Sequence, residues 1–158
     1  MHFIFDLDHT VIDSSHRQLT LADGSLDLAH WRENCTRQKI MADTLLPLAR
    51  TMREALENCP KRVIICTARV LSHWDIIFLA KHKLLANIVL SRPQGCDLPD
   101  DELKLLLLKQ HCRMVGITWA RFTRSAYMFD DNVNVLAEMK SHGMHTINAL
   151  KINQRKAA

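Results

Sequence analysis

The sequence has few of the signals that mark secreted, membrane or metal-thiolate proteins. Its five cysteines are an odd number with no CxxC pair, which favours reduced thiols and a cytoplasmic protein over disulfides or a zinc site. Its nine histidines show neither HxH nor HExxH spacing, so no histidine metal site is expected. Met1-His2 runs directly into an apolar segment and leaves no room for a signal peptide. The apolar run at 103–108 is interrupted by Lys104 and is far too short to span a membrane.

Length and composition are those of an ordinary globular protein. A chain of 158 residues with 47% hydrophobic and 24% charged residues is suited to one domain with a sizeable core. The net charge of +4 is mild and fits an anionic substrate such as a phosphate ester or a nucleic acid. There is no internal repeat and no linker, so we predict a single domain over 1–150. The basic, polar segment 151–158 is predicted to be a frayed tail.

Apolar strand patterns alternate with amphipathic helix patterns along the chain. The predicted strands cover residues 2–7, 62–66, 87–90, 126–129 and 144–147. The predicted helices between them cover residues 44–58, 72–83, 100–112 and 132–141. This alternation predicts a five-stranded parallel sheet with right-handed crossovers and helices on both faces, a three-layer α/β/α Rossmann-like fold.

One segment after the first strand departs from that alternation. Residues 13–30 are polar and rich in turn signals, and Asp23-Gly24 predicts a small hairpin. A short helix is predicted over 28–39. The insertion is therefore expected to be a flap rather than a separate cap domain.

Two acids follow the first strand directly. Asp6 and Asp8 are two residues apart, so they share a face if the strand continues through them, at the sheet edge where ligands of open α/β sheets bind. One carboxylate can attack phosphorus to form an aspartyl-phosphate, and the other can transfer a proton to the leaving oxygen. Two acids beside phosphate oxygens repel the substrate unless a hard cation lies between them, so the motif implies Mg²⁺.

Later segments add the other groups that such chemistry needs. Thr67 follows the second predicted strand and offers a hydroxyl to a phosphoryl oxygen, while Arg69 can fork onto a phosphate. Asp130 and Asp131 form a second acidic pair suited to complete a Mg²⁺ shell. Lys104 lies on a crossover helix, where its ammonium can neutralise charge on the phosphorus centre.

In this order, the residues resemble the motifs of the haloacid dehalogenase-like (HAD) phosphatase superfamily. The matching motifs are Asp6-Leu7-Asp8-His9-Thr10, Thr67, Lys104 and Asp130-Asp131. The resemblance implies that Asp6 is the nucleophile and Asp8 the general acid/base, with Thr67 and Lys104 holding the phosphoryl group. Lys109, on the same predicted helix, is a rival for the lysine position; Lys104 is preferred because it follows the acidic turn directly.

The same resemblance implies a metal site. Mg²⁺ is expected on Asp6, the backbone carbonyl of Asp8 and Asp130, with Asp131 in support. No other cofactor is implied.

A narrower resemblance is to the 3′-phosphatase domain of phage polynucleotide kinase/phosphatases. It rests on 31–43, Cys66-Thr67-Ala68-Arg69, and the segment from Ser91-Arg92-Pro93 to Lys104, although Ala68 stands where glycine is common and Ser91 where methionine is common. No GxxxxGK[ST] loop is present, so only a standalone phosphatase is implied. Substrate contacts are then expected from Thr10, Arg69 and Arg92.

The short insertion predicts an open site that admits bulky substrates. The basic side chains expected around it are His9, His16, Arg17, Arg32, Arg37 and Lys39. We therefore predict a Mg²⁺-dependent phosphomonoesterase that removes 3′-phosphates from nucleic-acid ends or nucleotides, in the host cytoplasm if phage-encoded. One alternative is a small-molecule phosphatase such as a nucleoside monophosphate 5′-nucleotidase. Another is a non-catalytic binding module on a phosphatase fold.

Overall fold

A five-stranded parallel sheet forms the centre of the computed structural model, which describes residues 1–22 and 26–157. The strands, in chain order, are β1 (His2–Phe5), β4 (Val63–Thr67), β5 (Ile88–Ser91), β6 (Ala126–Asp130) and β7 (His145–Asn148). Their spatial order is β5-β4-β1-β6-β7, so β1 lies in the middle, hydrogen-bonded to β4 and β6. The predicted three-layer α/β/α fold is confirmed.

Helices cover both faces of the sheet because the central strands are apolar on both sides. All five residues of β4 are buried, as its β-branched run predicts. The helices are α1 (Leu28–Glu33), α2 (Arg37–Met41), α3 (Leu48–Asn58), α4 (His73–Lys81), α5 (Asp100–Met114), α6 (Trp119–Thr123), α7 (Val133–Ser141) and α8 (Ala149–Ala157). Apolar side chains of α3, α4 and α8 pack on the face that Phe5 points to, and those of α5, α6 and α7 pack on the face of Ile4. Within the described ranges, no helix is both long and apolar enough to cross a membrane.

The insertion after β1 is small but more structured than the sequence predicts. The predicted helix over 28–39 is two helices, α1 and α2, each begun by an N-cap side chain, Asp27 and Thr36. An antiparallel pair of short strands, β2 (Ile12–Asp13) and β3 (Thr44–Leu45), closes the insertion at its base. The predicted hairpin turn at Asp23-Gly24 lies outside the described residues; the flanking Thr20 and Leu26 form an antiparallel bridge.

The same strand pairing corrects the start of one helix. The helix predicted from residue 44 begins at Leu48, because Thr44 and Leu45 pair with β2 instead. Pro47 then takes the N-cap position of α3. A tertiary contact thus overrides a helix-compatible pattern.

The prediction of a frayed tail over 151–158 was wrong for the described part of that segment. Residues Ala149–Ala157 form α8, which packs on the core through the buried Ala149. Its buried Asn153 accepts a hydrogen bond from the Leu48 N–H at 2.9 Å and donates one to the Thr10 carbonyl at 3.0 Å. These two bonds join α8 to the start of α3 and to the loop after β1. They take the place of the hydrogen bonds to water that the Asn153 side chain would make in a frayed tail.

Candidate active site

The motif residues meet at one edge of the sheet because their strands are neighbours. Asp6 follows β1, Thr67 ends β4 and Asp130 ends β6, and these three parallel strands are adjacent. All three side chains are buried or nearly so. The arrangement is the carboxyl-edge site that the sequence predicts.

Lys104 reaches this edge from α5. Its Nζ donates to Asp130 Oδ2 at 2.7 Å and lies 3.1 Å from Asp6 Oδ1, with the side chain almost fully buried. Burial alone would lower the pKa of Lys104, but the charges of Asp6 and Asp130 raise it, so the ammonium form is held. Lys109 instead places its Nζ 5.6 Å from the ring centroid of Trp119. Of the two rival lysines, the structure brings Lys104 to the acids.

Three carboxylates form the core of the site. Asp6, Asp130 and Asp131 each place an oxygen within 4.8 Å of the others. Burial and the charge of Asp6 raise the pKa of Asp130 to about 7 and that of Asp131 to about 6. Asp6 Oδ1 is buried and accepts no hydrogen bond within the described residues, although it forms an ion pair with Lys104 at 3.1 Å. Crowded carboxylates with an oxygen that accepts no hydrogen bond fit a hard divalent cation such as Mg²⁺.

Asp8 lies in a different electrostatic setting from the other acids. Arg69 donates to both of its oxygens, from Nε at 3.0 Å and from NH2, and the Ser14 hydroxyl also donates to Oδ1. Burial works to raise the pKa of Asp8, but Arg69 and Ser14 together hold it below its ordinary value. The side chain of Asp8 is thus held ionised and in one orientation. It is not part of the carboxylate cluster of Asp6, Asp130 and Asp131.

Arg69 lines the cavity, but its guanidinium is already paired with acids, so its predicted contact with a phosphate stays a prediction. Besides Asp8, it donates from NH1 to Asp75 at 2.6 Å and lies 3.7 Å from Asp43. It is buried, and these acids raise its pKa against the opposing effect of burial.

A second buried arginine extends this ionic network into the insertion. Arg17 is fully buried and donates to both oxygens of Asp43 at 2.9 Å. Its guanidinium carbon lies 4.1 Å from the ring centroid of Trp31 on α1. The flap is therefore anchored to the catalytic edge by the chain of contacts from Arg17 through Asp43 to Arg69.

The remaining predicted substrate contacts fare differently. Thr67 is buried at the end of β4, and its hydroxyl accepts the Arg69 N–H at 3.2 Å while lining the cavity. Thr10 is fully buried, its hydroxyl has no hydrogen-bond partner among the described residues, and it is not among the described residues that line the cavity. Arg92 lines the cavity but donates to the carbonyls of Ala68, Cys96 and Leu98 and to Asp100, so it braces the 92–100 loop.

Sequence reasoning missed several residues of the site. Ser14, Asp43 and Asp75 hold Asp8 and Arg69, and none of them belongs to a recognisable motif. Asp75 had a local signal, since Ser72 and Asp75 form a capping box at the start of α4. Ser14 and Asp43 had none, because their partners lie on other elements.

The site opens into a cavity of about 720 Å³. Its wall includes the acids and Lys104 together with apolar side chains, among them Leu26, Trp31, Val70 and Leu71. A cleft of this size and mixed lining is typical of small-molecule sites. Of the predicted basic rim, His9 and Arg32 line the cavity; His16 and Arg17 bind Asp43, and Arg37 lies over Trp74.

The fold is that of hydrolases of the HAD superfamily, as comparison with solved structures shows. A HAD-like hydrolase from Streptococcus pneumoniae matches with a TM-score of 0.61 at 12% identity, covering 93% of this chain and 83% of that one. A subfamily IA hydrolase from Geobacter sulfurreducens gives 0.61 at 17% identity, covering 93% and 88%. The Pnkp1/Rnl/Hen1 RNA repair complex gives 0.59 at 18%, covering 93% and 41%. At these identities the likeness concerns the fold.

The chain belongs to the family described as bacteriophage T5 5′-deoxynucleotidase, whose model matches residues 1–157. It is also similar to the 5′-deoxynucleotidase of Escherichia phage T5, with 44% identity over 84 residues. That alignment covers 51% of this chain and 34% of the phage T5 protein, about a third of the relative's length.

Proposed function

We propose that this protein is a Mg²⁺-dependent phosphomonoesterase that hydrolyses deoxynucleoside 5′-monophosphates. The observation that carries the proposal is the match of a 5′-deoxynucleotidase family model to residues 1–157, over a chain that brings Asp6, Thr67, Lys104 and Asp130 to one edge. This substrate was the alternative, not the first choice, of the sequence prediction.

The chemistry follows from the two acids after β1. In the first step Asp6 attacks phosphorus, the P–O bond to the nucleoside breaks, and Asp8 gives a proton to the leaving oxygen. Asp8 must be protonated for this step, and the negative phosphoryl group brought beside it favours that protonation against Arg69. In the second step water attacks the phosphorus of the aspartyl-phosphate, the P–O bond to Asp6 breaks, Asp8 takes a proton from that water, and inorganic phosphate is released with Asp6 regenerated. The ionised Asp8 of the structure is the form that this second step requires.

Asp6, Asp130, Asp131 and the backbone carbonyl of Asp8 are the groups suited to hold Mg²⁺. When bound, the ion supplies positive charge between the acids and the phosphoryl oxygens. Lys104 adds a fixed ammonium next to Asp6, where it faces charge that develops on the transferring group. Thr67 contributes a hydroxyl at the end of β4.

The cavity supports a nucleotide as the substrate. Its volume of about 720 Å³ is within the range of pockets for drug-sized ligands. Its apolar side chains are suited to contact the base of a nucleotide, and its carboxylates, with Mg²⁺ and Lys104, are suited to bind the phosphate. A polynucleotide 3′-phosphate remains the second candidate. It is favoured only by the sequence resemblance to 3′-phosphatase domains, because the likeness to an RNA repair complex concerns the fold. Action in the host cytoplasm stays a prediction.

Phosphate release tests the proposal directly. The full chain is assayed with Mg²⁺ on deoxynucleoside 5′-monophosphates, on nucleoside 3′-monophosphates, and on a DNA oligonucleotide phosphorylated at its 3′ end. We expect the highest kcat/KM for the 5′-monophosphates and none above background for Asp6→Asn. A preference for the 3′-phosphorylated oligonucleotide would replace the proposed substrate by the second candidate and leave the chemistry in place.

A further inference from the structure

The residue after the second acid has an unusual backbone. His9 has a φ of +54°, and the other non-glycine residue with positive φ in the described ranges is Lys83, at +57°. This region disfavours side chains other than glycine, although histidine enters it more often than most residues do. A histidine at such a position carries a conformational cost that glycine would avoid, so we ask what its side chain contributes.

Lys83 has such a reason in the local fold. It follows the C-cap of α4, and the Leu84 N–H bonds to the Leu79 carbonyl at 2.8 Å, the pattern that ends a helix in the left-handed region. Its side chain is exposed. His9 ends no helix; it lies in the turn between Asp8 and β2, where its N–H bonds to the Ile12 carbonyl at 2.8 Å. What His9 adds over glycine is its imidazole ring.

That ring is half-buried and lines the cavity. A chain of side-chain hydrogen bonds, which we call the ladder, holds it and runs from Asp8 through Ser14 and Gln18 to His9. The Ser14 hydroxyl donates to Asp8, so its oxygen accepts from Gln18 Nε2 at 3.1 Å. Gln18 then presents its carbonyl oxygen to His9 Nε2 at 2.9 Å. Because that oxygen only accepts, Nε2 carries a proton.

The ladder therefore fixes which ring nitrogen is available to a ligand. Nδ1 of His9 has no hydrogen-bond partner among the residues that the structure describes. It is also not among the fully buried atoms that lack a partner. The ring stands next to Asp8, which in the proposed reaction protonates the leaving oxygen. In that reaction the leaving oxygen carries the nucleoside, so we expect the nucleoside to lie near Asp8 and the His9 ring, which lines the same cavity.

We propose that His9 is a specificity-determining residue that contacts the nucleoside part of the substrate through the Nδ1 side of its imidazole. The proposal rests on the proposed function, since it needs a nucleotide substrate. A sugar hydroxyl is the nearest group of a 5′-nucleotide that can donate to Nδ1. Gln18 then acts as a positioning residue that holds the ring for this contact.

The test uses the full chain with His9→Gly and His9→Asn, both compatible with positive φ, and Lys83→Gly as the matched control. Each is assayed on a deoxynucleoside 5′-monophosphate and on glycerol 1-phosphate, a primary alkyl ester with a similarly basic leaving group and no nucleoside. We expect both His9 variants to lower the ratio of the two kcat/KM values about tenfold, the effect of about 1.4 kcal/mol for one lost contact. Lys83→Gly is expected to keep the wild-type ratio.

A binding measurement separates substrate contact from an effect on Asp8. In the Asp6→Asn background, His9→Asn is expected to weaken binding of the 5′-monophosphate about tenfold more than binding of inorganic phosphate. An unchanged kcat/KM ratio, or equal weakening of both ligands, overturns the proposal. Wild-type protein that hydrolyses glycerol 1-phosphate but no nucleotide overturns the proposed function, and this proposal with it. Glycine is expected to keep or raise the melting temperature, so a folded variant is available.

Discussion

Arg69 donates two hydrogen bonds to Asp8, from Nε to Oδ2 at 3.0 Å and from NH2 to Oδ1. The cation that the sequence predicts at a phosphate is thus paired with the acid that we propose transfers the proton. Its third contact, to Asp75 at 2.6 Å, fixes the guanidinium plane against α4. We therefore expect Arg69 to act as a positioning residue for Asp8, a role that kinetics can distinguish from substrate binding.

Arg69→Lys is expected to lower kcat about 10²-fold with little change in KM. Lysine keeps the charge but loses the two-pronged contact, so the carboxylate of Asp8 is no longer held in one orientation. Steady-state kinetics on the preferred substrate checks this. Arg50→Lys, on a highly exposed residue paired with Glu54, is the control and should behave as wild type. A rise in KM without a fall in kcat would assign Arg69 to phosphate binding after all.

Lys104→Met is expected to reduce kcat/KM about 10²–10³-fold, the usual effect of losing one preorganised charge at a transition state. Lys109→Met, on the same helix but over Trp119, is expected to stay within about twofold of wild type. Melting temperatures show whether each variant is folded. Equal losses for the two lysines would contradict the assignment of Lys104 to the site.

Mg²⁺ is expected to raise the melting temperature more at pH 8 than at pH 5.5. With pKa values of about 7 for Asp130 and about 6 for Asp131, the metal-free folded protein retains protons that the unfolded chain releases above about pH 4. Its stability therefore falls as pH rises from about 4 to 7, and cation binding must displace those protons. Thermal shift with Mg²⁺ or EDTA measures the difference. Asp131→Asn should shrink it, and a shift independent of pH would count against the carboxylate site.

Asn153→Ala is expected to destabilise the protein by about 2–3 kcal/mol and lower Tm by roughly 5–10 °C. The substitution leaves the Leu48 N–H and the Thr10 carbonyl without their partner in a buried setting. Gln154→Ala, one residue on and exposed, is the control and should change Tm by less than about 2 °C. Similar melting temperatures for both variants would show that α8 does not hold the loop after β1.

The sheet and the acids of the candidate site were predictable because their signals are local. Asp6 follows an apolar strand directly and Asp130 ends one, and parallel strands present their carboxyl ends at one edge whatever the connections between them. Lys104 was found through its place after an acidic turn. These features need no knowledge of which distant residues meet.

The supporting residues were not predictable for the opposite reason. The polar stretch around Arg17 predicts a solvated side chain, but contacts with Asp43 and Trp31, from other parts of the chain, accompany its burial. Asn153 lies in a segment whose polar composition predicts fraying, and its two backbone partners come from 100 or more positions earlier in the chain. Burial of a polar side chain depends on pairing across the fold, which composition and periodicity do not report.

The central position of β1 has a consequence for how the protein folds. Its Phe5 pairs with Ile65 on one side and with Phe129 on the other. The first strand to be synthesised, β1, can therefore pair only after β4 and β6 have been made. Contacts of such long sequence separation slow folding, because the entropy cost of closing a large loop arises before the strand pairing contributes any stability. A nascent chain that ends before β6 lacks one neighbour of β1 as well as Asp130 and Asp131. The protein is therefore expected to complete its candidate active site only in a late, cooperative step.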